Sequence, residues 1–146
     1  MADPSSLSDV REILDEAWTV AVIGAHPTAS RAAHYVPAYL HQMGYRVLPC
    51  HPRFGEQGTV MFGERVCRTV AEIDEPVDIV DVFRASDRVP EHLQEILEMS
   101  PLPKVVWLQQ GIQNDDFAEA LRNRGIIVVQ DRCTLADHRA LGLGPK

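Results

Sequence analysis

Short apolar runs alternate along the chain with segments whose apolar positions recur at helical spacing. The runs are rich in β-branched residues and apolar on both faces, which is typical of parallel strands buried between two layers. They are Thr19–Ile23, Arg46–Cys50, Val77–Phe83, Lys104–Leu108 and Ile126–Val129. This pattern predicts five strands of one sheet.

The intervening segments carry helix signals such as capping residues and terminal glycines. They predict helices at Asp9–Ala17 (capped by Ser8), Ser30–Met43 (bent at Pro37), Val89–Met99, Asn114–Arg124 and Leu135–Leu141, with one further turn at Thr69–Ile73. His51–Gly58 is predicted to be a glycine-bearing loop. Val60–Cys67 is predicted to hold a short, irregular edge strand.

Strands that alternate with helices favour an α/β fold with right-handed crossovers. We therefore expect a Rossmann-like, three-layer, doubly wound and mainly parallel sheet of five to six strands, with helices on both faces. We expect one domain over residues 1–146, with flexible segments at 1–7 and 142–146. In such a fold the first strand is central, Val77–Phe83 lies beside it, and a ligand crevice opens at the carboxyl ends of the strands.

Composition limits the partners of this chain. The formal net charge of −7 disfavours general binding to nucleic acid. No apolar run approaches the roughly 20 residues of a membrane span, and the amino terminus has no signal-peptide layout, so we expect a cytoplasmic protein without a membrane partner. Cys50, Cys67 and Cys133 show no CxxC spacing, so neither a disulfide framework nor a zinc site is indicated.

Four arginines follow the predicted strands at the same edge of the sheet, although the protein is acidic overall. They are Arg31, Arg53, Arg84 and Arg132. Gly24 ends the first strand and precedes a small-residue loop that opens a helix, which is how many phosphate-binding turns begin. The edge is therefore predicted to bind an anionic ligand.

The residues at this edge argue against NAD. The segment Gly24–Ala29 lacks the second and third glycines of the GxGxxG fingerprint, and no acidic residue for the ribose hydroxyls ends the second strand. The second strand instead leads into His51-Pro52-Arg53. A positive residue here suits a phosphate, as in NADP or the 3′-phosphorylated ADP portion of coenzyme A.

Several segments, taken in order, resemble the stand-alone CoA-binding domain proteins. These proteins are similar to the N-terminal CoA-binding domain of the succinyl-CoA synthetase alpha subunit. The segments that carry the resemblance are Val20–Pro27 with Ser30-Arg31, His51–Arg53, Val77–Arg84, Val106–Gly111 and Asp131–Cys133. The resemblance covers nearly the whole chain after Trp18.

The resemblance implies that coenzyme A or an acyl-CoA binds at the carboxyl edge of the sheet. The residues it places around the ligand are Gly24, Ala25, His26, Ser30 and Arg31 near the diphosphate, His51, Pro52 and Arg53 near the adenosine and its 3′-phosphate, and Val82, Phe83, Arg84, Gln109 and Gly111 along the adenine and pantetheine path. His51 stands where the family often has Asn.

The sequence favours a ligand-binding or regulatory module over an enzyme. Asp78 and Asp81 point to opposite faces of a strand and form no carboxylate pair. Only Cys133 or His26 is placed to act as a nucleophile or general acid, which leaves open an NADP-linked reductase or a CoA-thiol transferase. An interaction module that has lost its ligand is a third reading. The sequence also leaves a homodimer open. For Asp131 and Arg132 two interpretations remain: they form ion pairs that hold the last loop against neighbouring segments, or they contact the ligand.

Overall fold

The computed structural model describes residues 7–146 and is built around a five-stranded parallel sheet. The strands in chain order are β1 (Thr19–Ile23), β2 (Arg46–Cys50), β3 (Val60–Met61), β4 (Glu64–Arg65), β5 (Ile79–Val82), β6 (Val105–Leu108) and β7 (Ile127–Val129). The main sheet has the order β2-β1-β5-β6-β7, and β3 pairs with β4 in a separate antiparallel hairpin.

Six α-helices surround this sheet. They are α1 (Leu7–Glu16), α2 (Ala32–Gln42), α3 (Pro52–Glu56), α4 (Leu93–Leu97), α5 (Asp115–Arg122) and α6 (Thr134–Ala140), with 3-10 turns at Val70–Glu72 and Val89–His92. Within residues 7–146, no helix has the length and apolar character that crossing a membrane requires.

The interior position of β1, between β2 and β5, confirms the predicted doubly wound topology. Val22 in β1 lies opposite Pro49 of β2 on one side and Asp81 of β5 on the other. The chain thus builds outward from β1 in both directions, and the strand order reverses between β1 and β5. In sheets of this kind, ligands bind beside the carboxyl ends of the strands at that reversal.

Each face of the sheet carries its own apolar core. Leu14 of α1 and Leu40 of α2 pack on one face, while Ile96 of α4 and Leu121 of α5 pack on the other. Trp107 on β6 is fully buried in the first of these cores and donates its indole N–H to the Arg132 carbonyl at 2.7 Å. The predicted three-layer α/β fold is therefore confirmed.

Three local predictions were wrong. The segment after β2 is not a loop, because Pro52 occupies the first turn of α3 and the His51 ring caps the helix. Val60–Cys67 forms a hairpin of its own rather than an edge strand of the main sheet. The helix predicted at Val89–Met99 is a 3-10 turn followed by the shorter α4.

The two terminal segments differ in what the structure describes. The flexibility predicted for residues 1–7 concerns a segment that, apart from Leu7, lies outside the described residues. For 142–146 it stays a prediction, but the structure places Lys146 against the domain. Its backbone N–H donates to the Met43 carbonyl at 2.8 Å, and its ammonium group donates to the Asp15 carbonyl at 2.7 Å.

Candidate functional site

The turn after β1 is held tightly between two neighbouring strands. Gly24 has a φ of +86°, and a Cβ at this position would lie 2.5 Å from the Phe83 carbonyl oxygen. The N–H groups of Gly24 and Ala25 both donate to the Cys50 carbonyl, at 3.0 and 3.2 Å. The glycine is therefore required by the packing of the turn itself, and these two amides are used within the fold.

Unpaired donors lie one turn further on, where α2 begins. The backbone N–H groups of Ala32 and Ala33 have no hydrogen bond within the described residues. Unpaired amides and the helix dipole together favour an anion at such an end. The loop before α2 is ordered by His26, whose Nδ1 accepts from the Thr28 N–H at 3.1 Å and whose Nε2 lies 3.4 Å from the Arg31 guanidinium.

A cluster of rings connects this loop to the end of β2. The imidazoles of His26 and His51 lie 5.1 and 4.5 Å from the ring of Phe54, and the Arg53 guanidinium lies 5.4 Å from the same ring. Burial lowers the pKa of His26, and the charges of Arg31 and Arg53 lower it further. Burial and the neighbouring His26 and arginines lower the pKa of His51 in the same direction. Both imidazoles are therefore neutral at pH 7.

The four arginines of the predicted rim differ in their partners. The Arg132 guanidinium makes two bonds to the Asp137 carboxylate, at 2.8 and 2.9 Å, so it braces the start of α6. Arg84 lies 3.5 Å from Glu91. Within residues 7–146, neither Arg31 nor Arg53 has a carboxylate partner. Two guanidinium groups of the rim therefore keep a charge that no carboxylate of residues 7–146 neutralises.

Arg84 is held by a chain of side chains that the sequence did not reveal. Its Nε donates to Nε2 of His92 at 3.1 Å, and Nδ1 of His92 contacts Glu95 at 3.0 Å. Glu95 also accepts from the backbone N–H of Val70 at 3.1 Å. Because Nε2 accepts from Arg84, the ring proton sits on Nδ1 and is donated to Glu95. No sequence spacing links His92 and Glu95 with Arg84, so this series of hydrogen bonds becomes visible only in the folded structure.

Two cavities open at the carboxyl edge, and they meet at Arg84. The β1–β2 cavity has a volume of about 190 Å³ and is lined by Ile23, Gly24, Cys50, His51, Pro52, Arg68, Arg84, Glu91, His92 and Glu95. The α2 cavity has a volume of about 390 Å³ and is lined by Ala32, Tyr35, Val36, Phe83, Arg84, Ala85, Gln109, Gln110, Ile112 and Cys133. One is rich in charged and imidazole groups, and the other is largely apolar.

A buried polar chain lies beneath the α2 cavity. Thr134 Oγ1 lies 3.2 Å from Asp81 Oδ2 and 3.0 Å from Gln109 Oε1, and Gln109 Oε1 also accepts from the Thr134 N–H at 3.1 Å. Burial raises the pKa of Asp81 well above its usual value. The hydroxyl has one proton and an amide oxygen only accepts, so Thr134 donates to Gln109 and accepts from Asp81 when that carboxyl is protonated, which is the form that burial favours. The same bonds turn the NH₂ group of Gln109 away from Thr134.

The structure brings most of the predicted site residues to this edge but buries two of them. The side chains of Ala25 and Val82 are fully buried in the cores, so neither lines a cavity. Gly111 is at the surface, where its N–H donates to Asp131 at 2.6 Å. The sequence reasoning missed Tyr35, which is 50% exposed on α2. Its position off the apolar stripe of that helix was the available signal.

Known proteins that are similar to this chain in sequence and in fold agree with the site described above. The family described as CoA binding domain matches residues 18–139. The uncharacterized protein YneT of Bacillus subtilis (strain 168) is 33% identical over 138 residues, which are 94% of this chain and 97% of that protein.

Two solved structures have a similar fold over nearly their whole length. A Thermus thermophilus protein, cell-free ID.343, has a TM-score of 0.86 at 47% identity, covering 93% of this chain and 98% of that one. A hypothetical protein from Pyrococcus horikoshii OT3 has a TM-score of 0.86 at 30% identity, covering 97% and 95%. The resemblance inferred from the sequence is thus confirmed, and this chain belongs to the CoA binding domain family.

Proposed function

We propose that this protein binds coenzyme A or an acyl-CoA at the carboxyl edge of its sheet and acts as a ligand-binding or regulatory module without catalysis of its own. The observation that carries the proposal is the pair Arg31 and Arg53. These two guanidinium groups lack carboxylate partners within residues 7–146. Arg31 immediately precedes Ala32 in the wall of the α2 cavity, and Arg53 immediately follows Pro52 in the wall of the β1–β2 cavity. Charge-assisted bonds to phosphate are the strong kind of hydrogen bond, so this pair suits a polyphosphate ligand.

The chemistry of the two cavities supports a ligand with two unlike halves. The β1–β2 cavity, with His51 and Arg68 in its wall, suits the phosphorylated adenosine. The α2 cavity, with Phe83 and Ile112 in its wall, suits the pantetheine arm. The NH₂ group of Gln109 can donate to an amide or thioester carbonyl of that arm, since the bonds from Thr134 fix the amide orientation.

The imidazoles at this edge support binding rather than catalysis. Nδ1 of His26 and Nδ1 of His51 each accept from a backbone N–H, and both nitrogens of His92 are engaged by Arg84 and Glu95. A general base needs a ring nitrogen that can take a proton from substrate. We place this activity in the cytoplasm, in keeping with three unpaired cysteines.

Titration calorimetry with five nucleotides tests the proposal. We expect heat from coenzyme A and acetyl-CoA, weaker binding of dephospho-CoA, and none from NAD. NADP is the decisive competitor, because it also carries an extra phosphate on its adenosine. Absence of heat and of a thermal shift with 1 mM coenzyme A, or tighter binding of NADP, would show that the proposal is wrong.

Arginine substitutions test which phosphate of the ligand each guanidinium group contacts. Arg53→Ala should weaken coenzyme A about tenfold and leave dephospho-CoA unchanged, because Arg53 is assigned to the 3′-phosphate that dephospho-CoA lacks. Arg31→Ala should weaken both ligands by a similar factor, because it is assigned to the diphosphate. Both dissociation constants are measured by the same calorimetry.

Arg124→Ala provides the matched control. Arg124 is an exposed arginine between α5 and β7, so it lies at the amino edge of the sheet, opposite the cavities. Its replacement removes one positive charge and should leave both affinities unchanged. Equal losses in all three variants would mean that net charge alone, and not these positions, determines the affinity.

A further inference from the structure

Cys50 and Cys67 lie side by side although 17 positions separate them in the chain. The hairpin after α3 returns the chain to the outer side of β2, where Cys67 makes an isolated parallel bridge to Cys50. The Cys67 N–H donates to the Pro49 carbonyl at 2.9 Å, and the His51 N–H donates to the Cys67 carbonyl at 2.8 Å. Directly bridged residues stand about 4.8 Å apart. This spacing falls within the Cα range that a disulfide spans, roughly 4.4–6.8 Å.

The two thiols differ in access and in acidity. Cys50 is 2% exposed, whereas Cys67 is partly exposed in a surface cavity of about 420 Å³ between Arg65 and Arg68. The neighbouring Cys50 thiol lowers the pKa of Cys67 to about 7. The neighbouring Cys67 thiol, together with burial, raises the pKa of Cys50. Cys67 therefore ionises more readily than Cys50, which lies behind it.

We propose that Cys67 and Cys50 form a reactive dithiol that reduces small-molecule disulfides, with Cys67 as the attacking thiol and Cys50 as the resolving thiol. An accessible thiol, with a buried thiol on the residue bridged to it, is the arrangement that such chemistry needs. The exchange needs no bound coenzyme A, because Cys67 opens into a separate surface cavity, although Cys50 also lines the β1–β2 cavity.

The reaction balances in two exchange steps. The Cys67 thiolate attacks one sulfur of a disulfide RSSR, forms a Cys67–SR bond and releases RS⁻. Cys50 then gives up its proton and attacks the Cys67 sulfur, which forms the Cys50–Cys67 disulfide and releases the second RS⁻. The two thiol protons pass to the two released thiolates, so RSSR gains two electrons and becomes two RSH while the cysteine pair is oxidised.

Oxidation would act directly on the edge of the sheet that carries the cavities. The Cys50 carbonyl accepts both N–H groups of the turn at Gly24, and the residue after Cys50 caps α3. A Cys50–Cys67 disulfide would fasten the hairpin to this point. Cys133 lies on the wall of the α2 cavity, away from this pair.

Glutathione disulfide is a suitable probe. The fully reduced protein is incubated with it at pH 7, the remaining thiols are alkylated, and the products are analysed by intact mass and peptide mapping. We expect the wild type to lose two of its three thiols, to retain no glutathione and to yield a Cys50–Cys67 peptide pair. Cys133→Ala, the matched control, should behave like the wild type at the other two positions.

Single variants identify the order of the steps. Cys50→Ala should stop at one glutathione on Cys67, and should react more slowly at pH 7 because it lacks the neighbouring thiol that lowers the pKa of Cys67. Cys67→Ser should leave Cys50 unmodified, since that thiol is buried. Glutathione retained on wild-type Cys67, first reaction at Cys133, or three unreacted thiols would each overturn the proposal. The wild-type peptide map decides the matter even if the Cys50 variant fails to fold.

Discussion

Gly24→Ala is expected to destabilise the protein by about 2–5 kcal/mol, the sum of two separate costs. An alanine at a φ of +86° costs about 1–2 kcal/mol, because its Cβ crowds the following carbonyl. The same Cβ would lie 2.5 Å from the Phe83 carbonyl oxygen, so β1 and β5 must separate at the point where their ends meet. Urea-induced unfolding followed by circular dichroism measures the total.

Gly125→Ala separates the two costs. Gly125 has a φ of +82°, but a Cβ there meets no atom within 4 Å. This variant should therefore lose only the conformational cost of about 1–2 kcal/mol. The difference between the two variants gives the cost of the Phe83 contact. If Gly24→Ala were no more destabilising than Gly125→Ala, the tight packing of the first turn would not be a constraint on this fold.

The same substitution bears on the proposed ligand site. Phe83 and Arg84 follow β5 and line the α2 cavity, so a shift of the Phe83 peptide moves both side chains. We expect Gly24→Ala to bind coenzyme A more weakly than the wild type under conditions where both are folded. Gly125 lies at the amino edge of the sheet, and its replacement should leave the affinity unchanged.

The sheet and its carboxyl edge could be predicted from the sequence because both follow from simple burial rules. A run such as Thr19–Ile23 is apolar on both faces and can be satisfied only between two layers. Once the strands are parallel, the residues after each strand must share one edge. The sequence alone therefore predicts that Gly24, Arg53 and Arg84 lie at the same edge. The family resemblance then supplied the ligand class.

Helix α3 could not be predicted, because its signals were misleading. Gly55 suggested a loop, but it lies in α3, and a Cβ there would come within 2.8 Å of the Arg68 N atom. That glycine serves the packing of α3 against the returning chain. The cap is the His51 ring, whose Nδ1 accepts from the Arg53 N–H at 3.1 Å. Histidine is not among the residues that commonly mark a helix start.

The partners of individual side chains were also beyond the sequence. Arg31 and Arg132 looked equivalent as arginines after strand ends, but of the two only Arg132 has a carboxylate partner in the described part of the chain, Asp137 on the short α6. Cys50 and Cys67 looked unrelated, because their contact depends on how the hairpin folds back. Such pairings depend on the tertiary path of the chain and leave no periodic signal.

Asp81→Asn is expected to make the protein more stable than the wild type at pH 7, by an amount that grows with pH. Burial raises the pKa of Asp81 well above its unfolded value of 3.8, so folding takes up a proton at this position. That contribution is present below pH 3.8 and is lost as the pH rises toward the folded pKa. The loss has a slope of about 1.4 kcal/mol per pH unit. Asparagine cannot ionise, and its NH₂ group can replace the acid O–H as the donor to Thr134 Oγ1.

Asp78→Asn is the control with the opposite sign, one position before β5. Partial burial raises the pKa of Asp78, but hydrogen bonds from the Thr19 and Trp18 N–H groups and from Lys104 lower it overall. Its stabilising contribution is therefore present above pH 3.8 and lost in acid, so Asp78→Asn should be destabilising at pH 7 and less so below pH 3.8. Urea unfolding between pH 2 and 8 gives both differences from the wild type. A flat difference for Asp81→Asn would mean that Asp81 is ionised in its buried position. The hydroxyl of Thr134 would then have to donate to Asp81, and Gln109 would be held by the backbone N–H alone.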